Sequence, residues 1–192
     1  MVPRWIAALA GVLLWWGHAF AQCELAVDYV DEFDSTRVLA SAPRDIGYQV
    51  PSLFETEEGY TFIQEAQVLF SFTQNDTMDA VFMTLAVPEY KYHKIEPGRN
   101  VGLKLKTGQI IWLLNIPDRG TFDRDTNMRV YLHTCALPLD VYYNLLLNPI
   151  EKIRVSYAGY NHNMTLLPKQ QEGIQADLNC IGKQLGIFPV KP

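Results

Sequence analysis

Much of the chain alternates apolar and polar positions with period two, the spacing of strands that bury one face. Val101-Gly-Leu-Lys-Leu-Lys106 is the clearest case; Thr107-Gly108 then offers a tight turn and Gln109-Ile-Ile-Trp-Leu-Leu-Asn-Ile116 resumes as a strand, which predicts a hairpin. A second hairpin is expected where Gln67–Thr73 and Ala80–Val87 flank Asn75-Asp76-Thr77. Its later strand is apolar in both phases and reads as central. Further strands are expected at Glu24–Tyr29, Arg37–Ala40, Met128–Ala136, Lys152–Tyr157 and Asn163–Leu167, with a turn over 158–161 between the last two. The segments Ser41–Gly59 and Pro117–Asn127 are the least regular.

The period changes twice. Pro138–Leu147 and Pro168–Leu185 each open on proline and carry helical spacing, and Ile174, Leu178, Ile181 and Leu185 form one apolar stripe on the second helix. The pattern as a whole predicts a β-rich α+β fold: a mostly antiparallel sheet or sandwich of about nine short strands with two helices packed on it.

The first residues change the compartment. Arg4, the apolar stretch Ile6–Trp16 and the small-x-small triplet Ala19-Phe20-Ala21 have the form of a signal peptide, too short to span a bilayer. Residues 1–21 are therefore expected to be removed, leaving 22–192 as a single β-rich domain, secreted or periplasmic, with no stable membrane span. Gln22, where a lipoprotein signal needs a small residue before the modified cysteine, argues against lipidation of Cys23. In an oxidising compartment two of the three cysteines pair. Cys135 sits in a strand-like run, so the expected bridge is Cys23–Cys180, tying the mature N-terminus to the last helix, with Cys135 left over. On the chain-entropy model a loop of that length is worth about 5 kcal/mol.

The mature segment holds 15 basic and 21 acidic residues, a net charge of −6, which gives no general attraction for nucleic acid or anionic lipid. The acidity is concentrated at Glu24–Glu65, with ten acidic residues against Arg37 and Arg44; everything after Glu65 is +2. A solvated face accounts for the acidic third, and a docking surface for a basic partner or cation is the alternative.

No catalytic motif with a defined geometry is present. Asp123-Arg-Asp-Thr-Asn127 has alternating oxygen ligands like the start of a calcium loop, but Met128 stands where such a loop needs glycine. His133 and Cys135 share a strand face, yet neighbours two apart on a strand lie about 6.5–7 Å apart, beyond a hydrogen bond, so a buried structural thiol is expected instead of a thiolate–imidazole pair. His93 and His162 sit near turns, and nothing in the spacing of the three histidines encodes a metal site. Asp31-Glu-Phe-Asp34 reads as a turn before it reads as paired carboxylates. Tyr90, Tyr92, Tyr142, Tyr143, Tyr157 and Tyr160 are expected mostly in the core, with a shared contact rim as the alternative.

Several landmarks together resemble small exported bacterial β-rich proteins of unknown function: Cys23 followed by Asp31-Glu-Phe-Asp-Ser-Thr-Arg-Val38, Leu103-Lys-Leu-Lys-Thr-Gly108, Ile150-Glu-Lys-Ile-Arg-Val155 and Leu178-Asn-Cys-Ile181. The resemblance implies a shared fold and transfers no catalytic or ligand residues. The expected function is that of a non-enzymatic exported module binding a protein or envelope component, with no metal and no cofactor. A carrier enclosing an apolar small molecule is the alternative, and a small hydrolase or thiol enzyme using His133, Cys135 or the acidic cluster the third reading.

Overall fold

A computed structural model describes residues 25–116 and 118–186. The leader expected over 1–21 and Cys23 lie outside this range. Eleven strands run in chain order as β1 (Leu25–Val30), β2 (Arg37–Ser41), β3 (Arg44–Thr56), β4 (Gly59–Asn75), β5 (Met78–Glu89), β6 (Gly98–Leu105), β7 (Ile110–Ile116), β8 (Thr121–Asp123), β9 (Met128–Leu137), β10 (Ile150–Tyr157) and β11 (Tyr160–Thr165). Helix α1 (Leu139–Leu147) follows β9 and α2 (Pro168–Leu185) closes the chain. All strand pairs are antiparallel, in the order β1-β2-β4-β5-β9-β7-β6-β10-β11, with β3 also on β4 and β8 on β9. The sheet curls without closing.

The β-rich α+β class stands, but eleven strands replace the expected nine. The two additions, β3 and β8, fall in the stretches read as irregular. Bulges between Ile46 and Gln49 and between Pro51 and Glu55 break the alternation of β3, so its strand character comes from pairing with β4. The 17 residues of β4 carry β3 along the first part of one edge and β2 along the rest. At the junction the buried Ser41 hydroxyl accepts the Phe70 N–H at 3.1 Å, replacing a ladder bond.

Both expected hairpins form. Asn75 Oδ1 accepts the Thr77 N–H and hydroxyl, each at 3.0 Å, in the β4–β5 turn. Gly108, at φ +87°, turns β6 into β7. As expected, β5 is central, between β4 and β9. One core joins the inner faces of these strands to Tyr142 and Leu145 of α1 and to Ile174, Leu178 and Ile181 of α2. Polar contacts from Gln170 and Asp177 tie α2 to β3. Gln170 accepts the N–H of Gly47 at 3.2 Å and donates to its carbonyl at 2.9 Å. Arg44 grips Asp177 bidentately at 2.6 and 2.7 Å.

Candidate functional site

Two features stand out, a polar chain threaded through the interior and an apolar stripe on the outside, and both use β7.

All three described histidines converge on the inner chain. Asn115 Nδ2 of β7 donates to His133 Nδ1 of β9 at 3.0 Å, which leaves His133 Nε2–H to donate to the Tyr157 hydroxyl of β10 at 3.1 Å. Tyr157 is hydrogen-bonded in turn to Glu89 of β5. His162 of β11 donates from Nδ1 to Glu89 at 2.8 Å and from Nε2 to Glu65 of β4 at 3.2 Å, and Glu65 also accepts the Tyr48 N–H of β3 at 2.9 Å. Seven strands are thus linked, including β11 and β4 across the gap that the ladders leave open. His93 stacks on Tyr160 at 4.6 Å between ring centres, lies 3.8 Å from Glu89, and donates its backbone N–H to the Tyr131 hydroxyl at 2.7 Å.

Environment sets opposite charge states at the two ends. Burial would discharge His162, but the Glu65 and Glu89 carboxylates overcome it and push it up to about 9. Burial raises Glu65, and the His162 imidazole together with the Tyr48 N–H outweighs it, leaving the carboxyl below its usual range. Burial holds His133 at about 4, neutral, and drives the Tyr157 hydroxyl far up. The imidazole and phenol protons of His133, Tyr157 and His162 are each held in a hydrogen bond, in an order that couples strands, while the buried Asn115 Oδ1 has no hydrogen-bond partner among the described residues. Among the described residues no group of three or more His, Cys, Asp or Glu is arranged to hold a metal ion.

The other residues singled out by sequence have structural partners. Cys135 is a free, fully buried thiol pushed up to about 12 by burial, and His133 beside it is committed to Asn115 and Tyr157. Asp31 accepts the Phe33 N–H at 2.7 Å and Asp34 the Thr36 N–H at 2.9 Å, a pair of Asx turns. Asp123 caps its own loop through the Asp125 N–H at 3.1 Å and the Thr126 hydroxyl at 2.6 Å. Of the six tyrosines expected mostly in the core, only Tyr142 and Tyr157 are buried; Tyr143 is half-buried and Tyr90, Tyr92 and Tyr160 are exposed. Cys180 is buried on α2, and its expected partner Cys23 lies outside the described residues.

The outer face of β7 breaks the rule that a strand turns polar residues to water. Ile110, Trp112, Leu114 and Ile116 are 57, 40, 59 and 57% exposed in an unbroken alternate row, while Leu113 and Asn115 between them are buried. Leu132 and Leu139 add exposed apolar surface from β9 and α1. The Trp112 ring lies against Gly102 of β6, where a Cβ would come within 2.9 Å of it. Lys104, Lys152 and Arg154 share the shallow pocket that Trp112 borders.

The same strand leaves an edge open. It meets β9 only through Asn115–Cys135 and Ile116–Thr134, after which β9 turns away through Pro138 into α1. A groove of about 520 Å³ fills the divergence, lined by Ile110–Leu114 on one side and by Ala136, Pro138, Asp140, Val141 and Asn144 on the other. In sequence Gln109–Ile116 reads only as a strand; the signal that could have marked the row is that Ile110–Leu114 is apolar in both phases, more than one buried face requires. Nothing local in the sequence pointed to Glu65, Glu89 and Asn115 as partners of the histidines.

No helix among the described residues is long and apolar enough to cross a membrane. Compared with protein-family models, with curated proteins and with solved structures, the chain matches none of them.

Proposed function

We propose that this protein is an exported, non-enzymatic binding module that docks a partner protein of the cell envelope on the outer face of β7. The observation that carries the reading is the row Ile110, Trp112, Leu114 and Ile116, four large apolar side chains held in water by a strand whose other face is anchored in the core. Leaving such a row exposed costs solubility, and a contact surface is the use that offsets the cost. Trp112 at the centre, with Lys104, Lys152 and Arg154 at the margin, has the make-up of an aromatic hot spot inside a polar rim. The carrier reading has less support, because the inner face is filled by packed side chains and by the histidine chain.

The test is a photo-crosslinking side chain placed at Trp112 in cells, with one at Lys169 on α2 as the control. A discrete adduct from position 112, absent from position 169 and abolished by Leu114→Asp, is expected. Equal labelling from both positions, or none from 112, would retire the proposal.

A further inference from the structure

We infer that the groove between β7 and α1 takes one extended peptide segment of the partner, which adds to the sheet as a strand on the open edge of β7. The inference rests on the docking reading above and names what that site grips.

The register fixes which backbone groups face the groove. Leu105 N–H donates to the Gln109 carbonyl at 2.9 Å, and the β6–β7 pairing continues in register through Leu103–Ile111 and Val101–Leu113. In an antiparallel ladder bonded pairs alternate, so Gln109, Ile111 and Leu113 spend their N–H and C=O on β6, while Ile110, Trp112 and Leu114 turn theirs the other way. On that side strand pairing begins only at Asn115–Cys135. The donors and acceptors of Ile110 and Trp112 therefore have no strand opposite them among the described residues. The one polar visitor is Arg99, whose guanidinium sits 3.5 Å from the Trp112 carbonyl, too long for a firm hydrogen bond.

The walls decide the occupant. The far side is α1 and the β9–α1 corner, one end is the β7–β9 bridge, and at the other Asn144 donates to Gln109 at 2.9 Å. Open residues Ile110 to Leu114 span about 13 Å at strand rise. An enclosure of this shape excludes the edge of a second folded copy and admits a single chain of about four or five residues. Such a strand would turn alternate side chains inward toward Pro138 and Val141, where apolar residues fit, and outward beside Trp112 at the water-facing surface, where a β-branched residue such as threonine fits as well. Asp140 lies in the first turn of α1, where the helix N-terminus balances its charge, whereas Arg99 has no anionic partner in the groove. The segment therefore carries an acidic residue at the end that meets Arg99.

The experiment uses the full-length protein and a blocked seven-residue peptide of alternating valine and threonine ending in glutamate, with a lysine-ended twin, read by amide hydrogen exchange and titration. In the free protein the amides of Ile110 and Trp112 should exchange fast and those of Ile111 and Leu113 slowly. The peptide should protect the first pair, and the glutamate form should bind about threefold tighter than the lysine form. Trp112→Pro removes a groove-facing N–H without removing a bond to β6, so it should bind about tenfold more weakly than Trp112→Ala, with Ile111 and Leu113 still protected to certify the fold. Failure to bind at millimolar peptide, binding that leaves Ile110 and Trp112 unprotected, or protection of both in the free protein would each overturn strand addition. A crosslink at position 112 alongside any of these results would leave docking on the β7 face standing.

Discussion

Folding stability should peak near pH 6.5 and fall on both sides, with one histidine responsible for each flank. His162 has a pKa of about 9 in the folded protein against 6.5 for an unperturbed imidazole. A raised folded value means that the stabilisation is complete below 6.5 and disappears as pH rises toward 9, a loss of about 3 kcal/mol at 1.36 kcal/mol per unit. His133 has the opposite sign: held at about 4, it stabilises fully above 6.5 and loses about 3 kcal/mol as pH falls from 6.5 to 4. The depressed Glu65 adds a further decline below the unfolded carboxyl range. Urea denaturation followed by tryptophan fluorescence at half-unit steps from pH 4 to 9 measures the curve. His162→Gln should flatten the alkaline flank while lowering stability at pH 6.5 by about 3 kcal/mol, because Glu65 and Glu89 then face each other without a cation between them. His133→Gln should flatten the acid flank down to the carboxyl range. A wild-type curve that is level between pH 6.5 and 8.5, or an alkaline decline that survives His162→Gln, would refute the charge assignment.

Gly47→Ala should mimic His162→Gln: Gly47 has φ +76° and the Glu65 carboxylate occupies the space its Cβ would need, so the variant should be destabilised by about 2 kcal/mol with a weakened alkaline flank. Tyr142→Phe, which strips a buried hydroxyl donating to the Leu178 carbonyl at 2.6 Å, should lose about 1–2 kcal/mol in thermal or urea unfolding and loosen α2 from α1. Non-reducing peptide mapping of the exported protein should recover Cys23 joined to Cys180, while Cys135 should resist alkylation until the protein is unfolded. Gly102→Val should displace the Trp112 ring, shifting its fluorescence and weakening partner binding while changing stability far less than a core substitution.

What the sequence alone determined is what local rules govern. Alternation placed β6 and β9, and apolar runs bounded by turn residues placed β5 and β7; turn residues placed Asn75–Thr77 and Gly108; proline and the stripe from Ile174 to Leu185 placed α2, which runs over the predicted residues Pro168–Leu185. Each of these depends on contacts within a few positions of itself or on one buried face. Only the tertiary structure supplied β3, since a twice-bulged strand is defined by the partner that straightens its hydrogen bonds rather than by its own periodicity. The same holds for the interior chain. His162 reaches Glu65 and Glu89, 97 and 73 positions away, because the sheet curls until its last strand faces its early ones, and no spacing along the chain encodes that curvature. The exposed row on β7 lies between these cases: its apolar residues were legible, but that they face water beside an open edge follows from where β9 turns away into α1.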